Sequence, residues 1–188
     1  MGPSKQSIIQ RRYNGRTLGR MKKLNITIEE ANKALVLEAF DTLFNKRNYK
    51  AGERFWSPNY IQHSSHIAPG CEGLFNLIKS LPPTLKYEPG TIVAEGDFVI
   101  VHGRFSDFGQ PVNWIAADIL RIESGILVEH WDVIQDEATR ESSKSGLPMF
   151  GDKFGRSLQT NSKPQRREAK TNVAPVQGAL ADRATNHR

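Results

Sequence analysis

The hydrophobic period of this chain changes once, at Pro82-Pro83, and that change limits the folds open to it. Upstream, apolar residues recur every three or four positions, as on one face of a helix. Downstream they alternate, as on one face of a strand. A block of helices followed by a block of strands does not make the alternating units of a parallel sheet. The expected class is α+β, with helices covering one face of an antiparallel sheet.

Within the helical block, Thr27-Ile28-Glu29-Glu30 has the form of a capping box: Thr27 can accept from the Glu30 N–H while the Glu30 carboxylate reaches back. Ala31, Leu35, Ala39 and Leu43, with Val36, Phe40 and Phe44, share one face, which predicts a helix over 27–45. A short second helix is expected over 51–56, ending before Ser57-Pro58 because the residue before a proline avoids helical geometry. Tyr60-Ile61-Gln62-His63 then forms a brief extended piece. Leu74, Leu77, Ile78 and Leu81 predict a third helix over 71–81, stopped by the two prolines.

Four strands are expected over 85–95, 98–108, 112–123 and 126–135, joined by Glu95-Gly96-Asp97, Gly109-Gln110-Pro111 and Ser124-Gly125. Consecutive hairpins of this kind make a meander, and a strongly curved meander can cup a pocket.

Charge divides the 188 residues into three parts. Residues 1–26 carry seven basic side chains and no acidic one, and residues 137–188 carry ten basic and five acidic. The stretch between has nine basic against fifteen acidic, so the overall charge of +6 belongs to the arms and the core is acidic. That is not the charge pattern of a basic binding platform, although the arms themselves suit a nucleic acid or an acidic partner. We expect a disordered basic extension over 1–26, one pocket domain over 27–150, and a disordered basic tail over 151–188, rich in Ser, Asn, Gln, Pro, Lys and Arg. The leader is Arg-rich and acid-free, as organelle transit peptides are, but lacks their serines and amphipathic rhythm. The single cysteine, Cys71, rules out an intrachain disulfide, and no apolar run approaches the roughly 20 residues that cross a bilayer. A soluble, cytoplasmic protein without a membrane partner is the expectation.

Two strands carry charge on an otherwise apolar face. Val112, Trp114, Ala116, Asp118, Leu120 and Ile122 alternate in one, and Ile126, Val128, His130, Asp132 and Ile134 in the next, with Leu127, Glu129, Trp131 and Val133 pointing the other way. Placing Ile122 opposite Val128 puts Leu120 opposite His130 and Asp118 opposite Asp132, unless a bulge at Gly125 shifts the register. Opposed residues have Cβ atoms roughly 4.5–5.5 Å apart, close enough for one of two carboxyls to keep a proton at neutral pH. A carboxyl poised in this way serves acid–base chemistry on a carbonyl compound. Such aspartates also serve structure, pairing with Arg104 or Arg121 or tying loops.

His63 and His66 stand three apart near the expected pocket mouth, but no further His or Cys at suitable spacing completes a zinc site, so no metal is expected. Hydrogen bonding to a ligand or to the backbone is the better role for both. His102 shares a face with Phe98, Ile100 and Arg104, where a core role competes with a pocket role. Tyr60, Trp56 and Trp114 are candidate walls for a flat ligand, though large aromatics also serve as plain core.

The run from Ala117 through Asp118-Ile119-Leu120-Arg121-Ile122-Glu123-Ser124-Gly125-Ile126-Leu127-Val128-Glu129-His130-Trp131-Asp132-Val133-Ile134-Gln135 resembles the closing hairpin of the SnoaL-like polyketide cyclases, in the nuclear transport factor 2-like superfamily that includes ketosteroid isomerase. Tyr60-Ile61-Gln62-His63 and Gly146-Leu147-Pro148-Met149-Phe150 are similar to other parts of the same family, so the resemblance covers roughly residues 28–150. It implies a cone-shaped α+β barrel: a strongly curved antiparallel sheet closed by N-terminal helices around an apolar cavity, usually in a homodimer and without metal or organic cofactor. It implies Asp132 as the residue that removes or returns a proton during an aldol ring closure. Asp118 stands where the family commonly has a histidine, and His63 where it carries a polar pocket residue that would hold a carbonyl or enolate oxygen. The function implied is a cofactor-independent cyclase or isomerase acting on a small apolar or aromatic carbonyl substrate. The alternative is a non-catalytic small-molecule-binding or interaction domain of the same fold, since this fold hosts many activities.

Overall fold

The computed structural model describes residues 26–155, so the expected basic arms, apart from Ile26 and residues 151–155, lie outside the described residues. Helix α1 (Ile28–Phe40) starts at Thr27, whose hydroxyl accepts from the Glu30 N–H at 3.2 Å, while the Glu30 carboxylate turns to Lys33. The expected helix over 27–45 is two pieces, because the chain widens into a π-helical turn at Asp41–Asn45. Asn45 at its end hydrogen-bonds the main chain of Tyr87 both ways, accepting from N at 2.8 Å and donating to O at 3.1 Å. The turn thus ties the helix to the sheet.

Helix α2 (Tyr49–Gly52) begins earlier than expected because Asn48 caps it, accepting from the Ala51 N–H at 3.1 Å, and a 3₁₀ turn at Glu53–Phe55 follows. Strand β1 (Trp56–Gln62) already includes Ser57-Pro58. Proline is tolerated there because β1 is an edge strand and its pairing is interrupted between Trp56 and Ile61. Helix α3 (Gly70–Ser80) has its last carbonyls capped by the Arg47 guanidinium, at 2.7 Å to Ile78 O and 3.0 Å to Leu81 O.

The meander follows as β2 (Lys86–Glu95), β3 (Phe98–Ser106), β4 (Trp114–Glu123) and β5 (Ile126–Asp136), giving a curved, unclosed sheet in the order β1-β5-β4-β3-β2. Three hairpins make the antiparallel pairs, and β1 joins β5 in parallel. This is the cone-shaped α+β fold, with the helices on the concave face. Val36, Ala39, Phe40, Leu43 and Phe44 pack there against Val99, Val101, Leu120, Ile122 and Leu127.

Leu127 corrects the alternation expected for the last strand. Ser124 and Gly125 both take positive φ, 54° and 77°, making a two-residue turn that pairs Glu123 with Ile126 and Ile122 with Leu127 rather than Val128. Leu127 therefore points inward and is fully buried. The next pair is Arg121 with Glu129, so Val128 is an extra residue, a β-bulge.

After β5 the chain turns back along the convex face. Glu137 is buried between Arg104 (2.6 Å) and Asn113 (2.7 Å), and the Arg104 guanidinium lies 4.6 Å from the Phe150 ring centre. Among the described residues no helix is long and apolar enough to cross a membrane.

Candidate active site

The bulge at Val128 decides which side chains meet. Continued without it, the Ser124-Gly125 turn would pair Asp118 with Trp131 and leave Asp132 on the opposite face, since paired residues share a face. The extra residue shifts the ladder by one, and beyond it Leu120 pairs with His130 and Asp118 with Asp132. The expected opposition of the two aspartates holds, through a bulge placed three residues beyond Gly125.

Both aspartates and His130 reach a cavity between the sheet and the helices. Its walls are apolar, formed by residues such as Phe40, Phe44, Leu74, Ile78, Phe108 and Trp114, and the polar groups Tyr60 and Ser64 line it too, with Asp118, His130 and Asp132 clustered within 4.8 Å of one another. Asp118 is 4% exposed and His130 5%, so their contact is made out of water. His130 Nε2 stands 3.0 Å from Asp118 Oδ1, and His130 Nδ1 stands 2.9 Å from Gln62 Oε1. Asp118 Oδ2 is buried without a hydrogen-bond partner. Asp132 is half-buried and open to the cavity.

Burial pushes the Asp118 carboxyl above the ordinary carboxylate range; the hydrogen bond and charge of His130 oppose this, and the Asp132 charge adds to it. Burial likewise raises the Tyr60 phenol, which stays a neutral donor, with the charges of both aspartates adding to the rise. Asp118, His130 and Asp132 have atoms within 4.8 Å of one another that make up the composition of a cation site. His130 Nε2 is already engaged by Asp118, and the Asp132 carboxyl stands beside this pair.

The expected pocket residues separate into three groups. Asp118, His130, Asp132, Tyr60 and Trp114 line the cavity, and His66 stands at its mouth with its ring 5.6 Å from that of Trp114. Trp56 is core, edge-on to Phe75 at 5.5 Å. His63 and His102 lie on the other side of the sheet. His63 is 40% exposed, stacks on Trp131 at 4.8 Å and bonds Glu129 at 2.9 Å, because alternation along β1 turns Tyr60 and Gln62 inward and Ile61 and His63 outward. His63 and the Arg121 guanidinium hold the Glu129 carboxyl below its ordinary range. His102 faces Phe150 at 5.6 Å on the convex side. Neither histidine can hold a substrate oxygen in this cavity. Gln62, which no motif argument singled out, touches His130 instead.

A family model described as SnoaL-like polyketide cyclase matches residues 34–141. A provisionally assigned ketosteroid isomerase from Kribbella flavida superposes with a TM-score of 0.55 at 19% identity, covering 69% of this chain and 98% of its own. AclR, a provisionally assigned hydroxylase from Streptomyces galilaeus, is 28% identical over 55% of this chain and 88% of its own, with a TM-score of 0.46. A provisionally assigned SnoaL-like polyketide cyclase from a Jannaschia species is 21% identical over 57% of this chain and 88% of its own, with a TM-score of 0.49. No curated protein matches the sequence. The first of these superpositions supports the fold, and the family match, spanning more than half of the 188 residues and the whole bulged hairpin, identifies the chain as a member of the SnoaL-like polyketide cyclase family.

Proposed function

We propose that the protein is a cofactor-independent cyclase or isomerase that moves a proton at a carbon next to a carbonyl group, on a small apolar or aromatic substrate. The observation carrying this reading is the contrast within the polar cluster of the cavity. One carboxyl, Asp118, is buried against His130, and the other, Asp132, is open to the space a substrate would fill. Two acidic groups in unlike environments take the two roles such a reaction needs, one accepting a proton and one donating it.

Asp132 is the base. It is placed to take the proton next to the carbonyl, while the buried pair or the Tyr60 hydroxyl hydrogen-bonds the oxygen on which charge develops. The apolar walls bind a flat hydrocarbon framework and exclude water, which strengthens each of these polar contacts.

The test is hydrogen exchange, which does not need the natural substrate. Aryl-substituted 1,3-diketones and cyclic ketones are incubated with the protein in D₂O, and loss of the α-proton signal is followed by NMR. Exchange above the buffer rate that disappears in Asp132→Asn supports the reading. Compounds that bind, as a rise in melting temperature shows, yet never exchange would leave a binding module of the same fold.

A further inference from the structure

We infer that Gln62 is a positioning residue that fixes the tautomer of His130, so that one proton is held on the line between His130 Nε2 and Asp118 Oδ1 and the pair is the neutral acid of the site.

The argument starts from a main-chain donor. The Ser64 N–H lies 2.9 Å from Gln62 Oε1. A backbone N–H can only donate, so the Gln62 atom facing it is the carbonyl oxygen, not the amide nitrogen. The opposite amide orientation would set a donor against a donor. That same oxygen lies 2.9 Å from His130 Nδ1, and an amide oxygen can only accept, so Nδ1 carries a proton. The other side of the ring then has two arrangements. Either Nε2 also carries a proton and faces an ionised Asp118, or Nε2 is bare and Asp118 supplies the proton. The third, a bare Nε2 against an ionised carboxylate, would place two acceptors 3.0 Å apart in a buried site, at the cost of an unmade buried hydrogen bond. In both surviving arrangements the pair holds one proton beyond Nδ1–H and has no net charge.

The consequence is a division of labour. Among the described residues, the titratable groups that share this cavity with the pair are Asp132 on β5, close beside it, and His66 at the mouth, and from β1 the pair meets the neutral Tyr60. The pair is therefore poised to give its shared proton to a substrate carbonyl oxygen while Asp132 takes the α-proton, leaving a neutral enol, a protonated Asp132 and a pair one proton short. Return of the two protons closes the cycle. Gln62 touches neither substrate nor reacting atoms. Without it, His130 would be free to settle as Nε2–H with a bare Nδ1, which satisfies an ionised Asp118 and leaves the pair with its negative charge.

This division of roles rests on the acid–base reading above, but the NMR test of the tautomer does not. In the uniformly ¹⁵N-labelled full chain, long-range ¹H–¹⁵N correlation reports the protonation of each imidazole nitrogen. The expected result between pH 6 and 8 is a protonated Nδ1 and an Nε2 shift between the bare and protonated limits. Gln62→Leu should reverse the pattern to Nε2–H with bare Nδ1, and Gln62→Glu, which keeps an acceptor, should restore Nδ1–H. In the exchange assay Gln62→Leu should lower the rate at saturating ketone by 10-fold or more with little change in KM. A wild-type ring with bare Nδ1 and full Nε2–H overturns the inference. So does a Gln62→Glu spectrum with bare Nδ1, a readout that stands even if Gln62→Leu fails to fold. Broadening of the Nε2 resonance by micromolar Mn²⁺ would overturn it in favour of a cation site. Correct tautomers without ketone exchange would keep the inference and remove the proposed function.

Discussion

Asp118 and Asp132 are directly paired across β4 and β5 and both line the cavity, yet one is buried against His130 and the other is only half-buried. Cross-strand neighbours at this spacing share an electrostatic environment, so the difference between them comes from burial and from the histidine.

Burial costs the ionised form of Asp118, and the linkage has a definite sign. Its folded value is raised, so the stability it contributes is fully present below the unfolded carboxyl value of about 3.9 and is lost as pH rises through the folded value. Asp118→Asn cannot ionise and can still donate to His130 Nε2. Melting curves from pH 4 to pH 8 should show the variant gaining on the wild type as pH rises. A difference that stays constant over that range would mean Asp118 does not titrate there.

Tyr87 crosses the floor of the core with its hydroxyl buried and unpartnered. It fits because Gly103 has no side chain: a Cβ there would meet the ring and hydroxyl of Tyr87 at 2.5 Å. Tyr87→Phe should raise stability by about 1 kcal/mol, because removing an unsatisfied buried polar group recovers its desolvation cost. Gly103→Ala should lower stability by about 1–3 kcal/mol through overpacking. Denaturant titration measures both, and a destabilised Tyr87→Phe would show that the hydroxyl has a partner in solution.

Period-two alternation and a short turn made the pairing of Asp118 with Asp132 legible before any coordinates. They did so because the required bulge restores the register that alternation assumes. The bulge itself carries no sequence mark, so Leu127 was expected outside and lies inside. His63 was placed in the pocket by resemblance although alternation with Tyr60 already turned it outward; four residues are a short stretch on which to weigh period against motif. Gln62 shares the inward face of Tyr60, and an uncharged amide signals no chemistry until its neighbours are known. The π-helical turn follows from tertiary ties such as the contact of Asn45 with Tyr87, which local periodicity does not contain.

The convex face of the sheet exposes Val93 (52%), Phe98 (44%), Ile100 (42%) and Val133 (69%) around Trp131. Contiguous apolar surface of this kind marks an interaction site, and we propose that a second copy of the chain covers it. Alternation in the sequence expects Ile115, Ile119, Leu127, Trp131 and Val133 to form such an interface; of these, Leu127 and Ile115 are buried within the chain itself. Light scattering at high micromolar concentration should give twice the chain mass for the wild type and the chain mass for Ile100→Lys with Val133→Glu. A wild-type monomer would refute the proposal.

Asp132→Asn tests the base directly. Asparagine keeps the size and polarity of the side chain but cannot take a proton, and the site's other carboxyl is engaged by His130. Loss of a general base typically lowers turnover by about 10²–10⁴-fold, and here the loss should fall on kcat rather than KM, since the apolar walls that bind the substrate are untouched. The melting temperature should stay level or rise, because the substitution removes one of two acidic groups paired across adjacent strands. An unfolded variant would make Asp132 a structural hydrogen-bonding residue. Full activity in a folded variant would move the base to another group, and the Asp118–His130 pair would be the next to test.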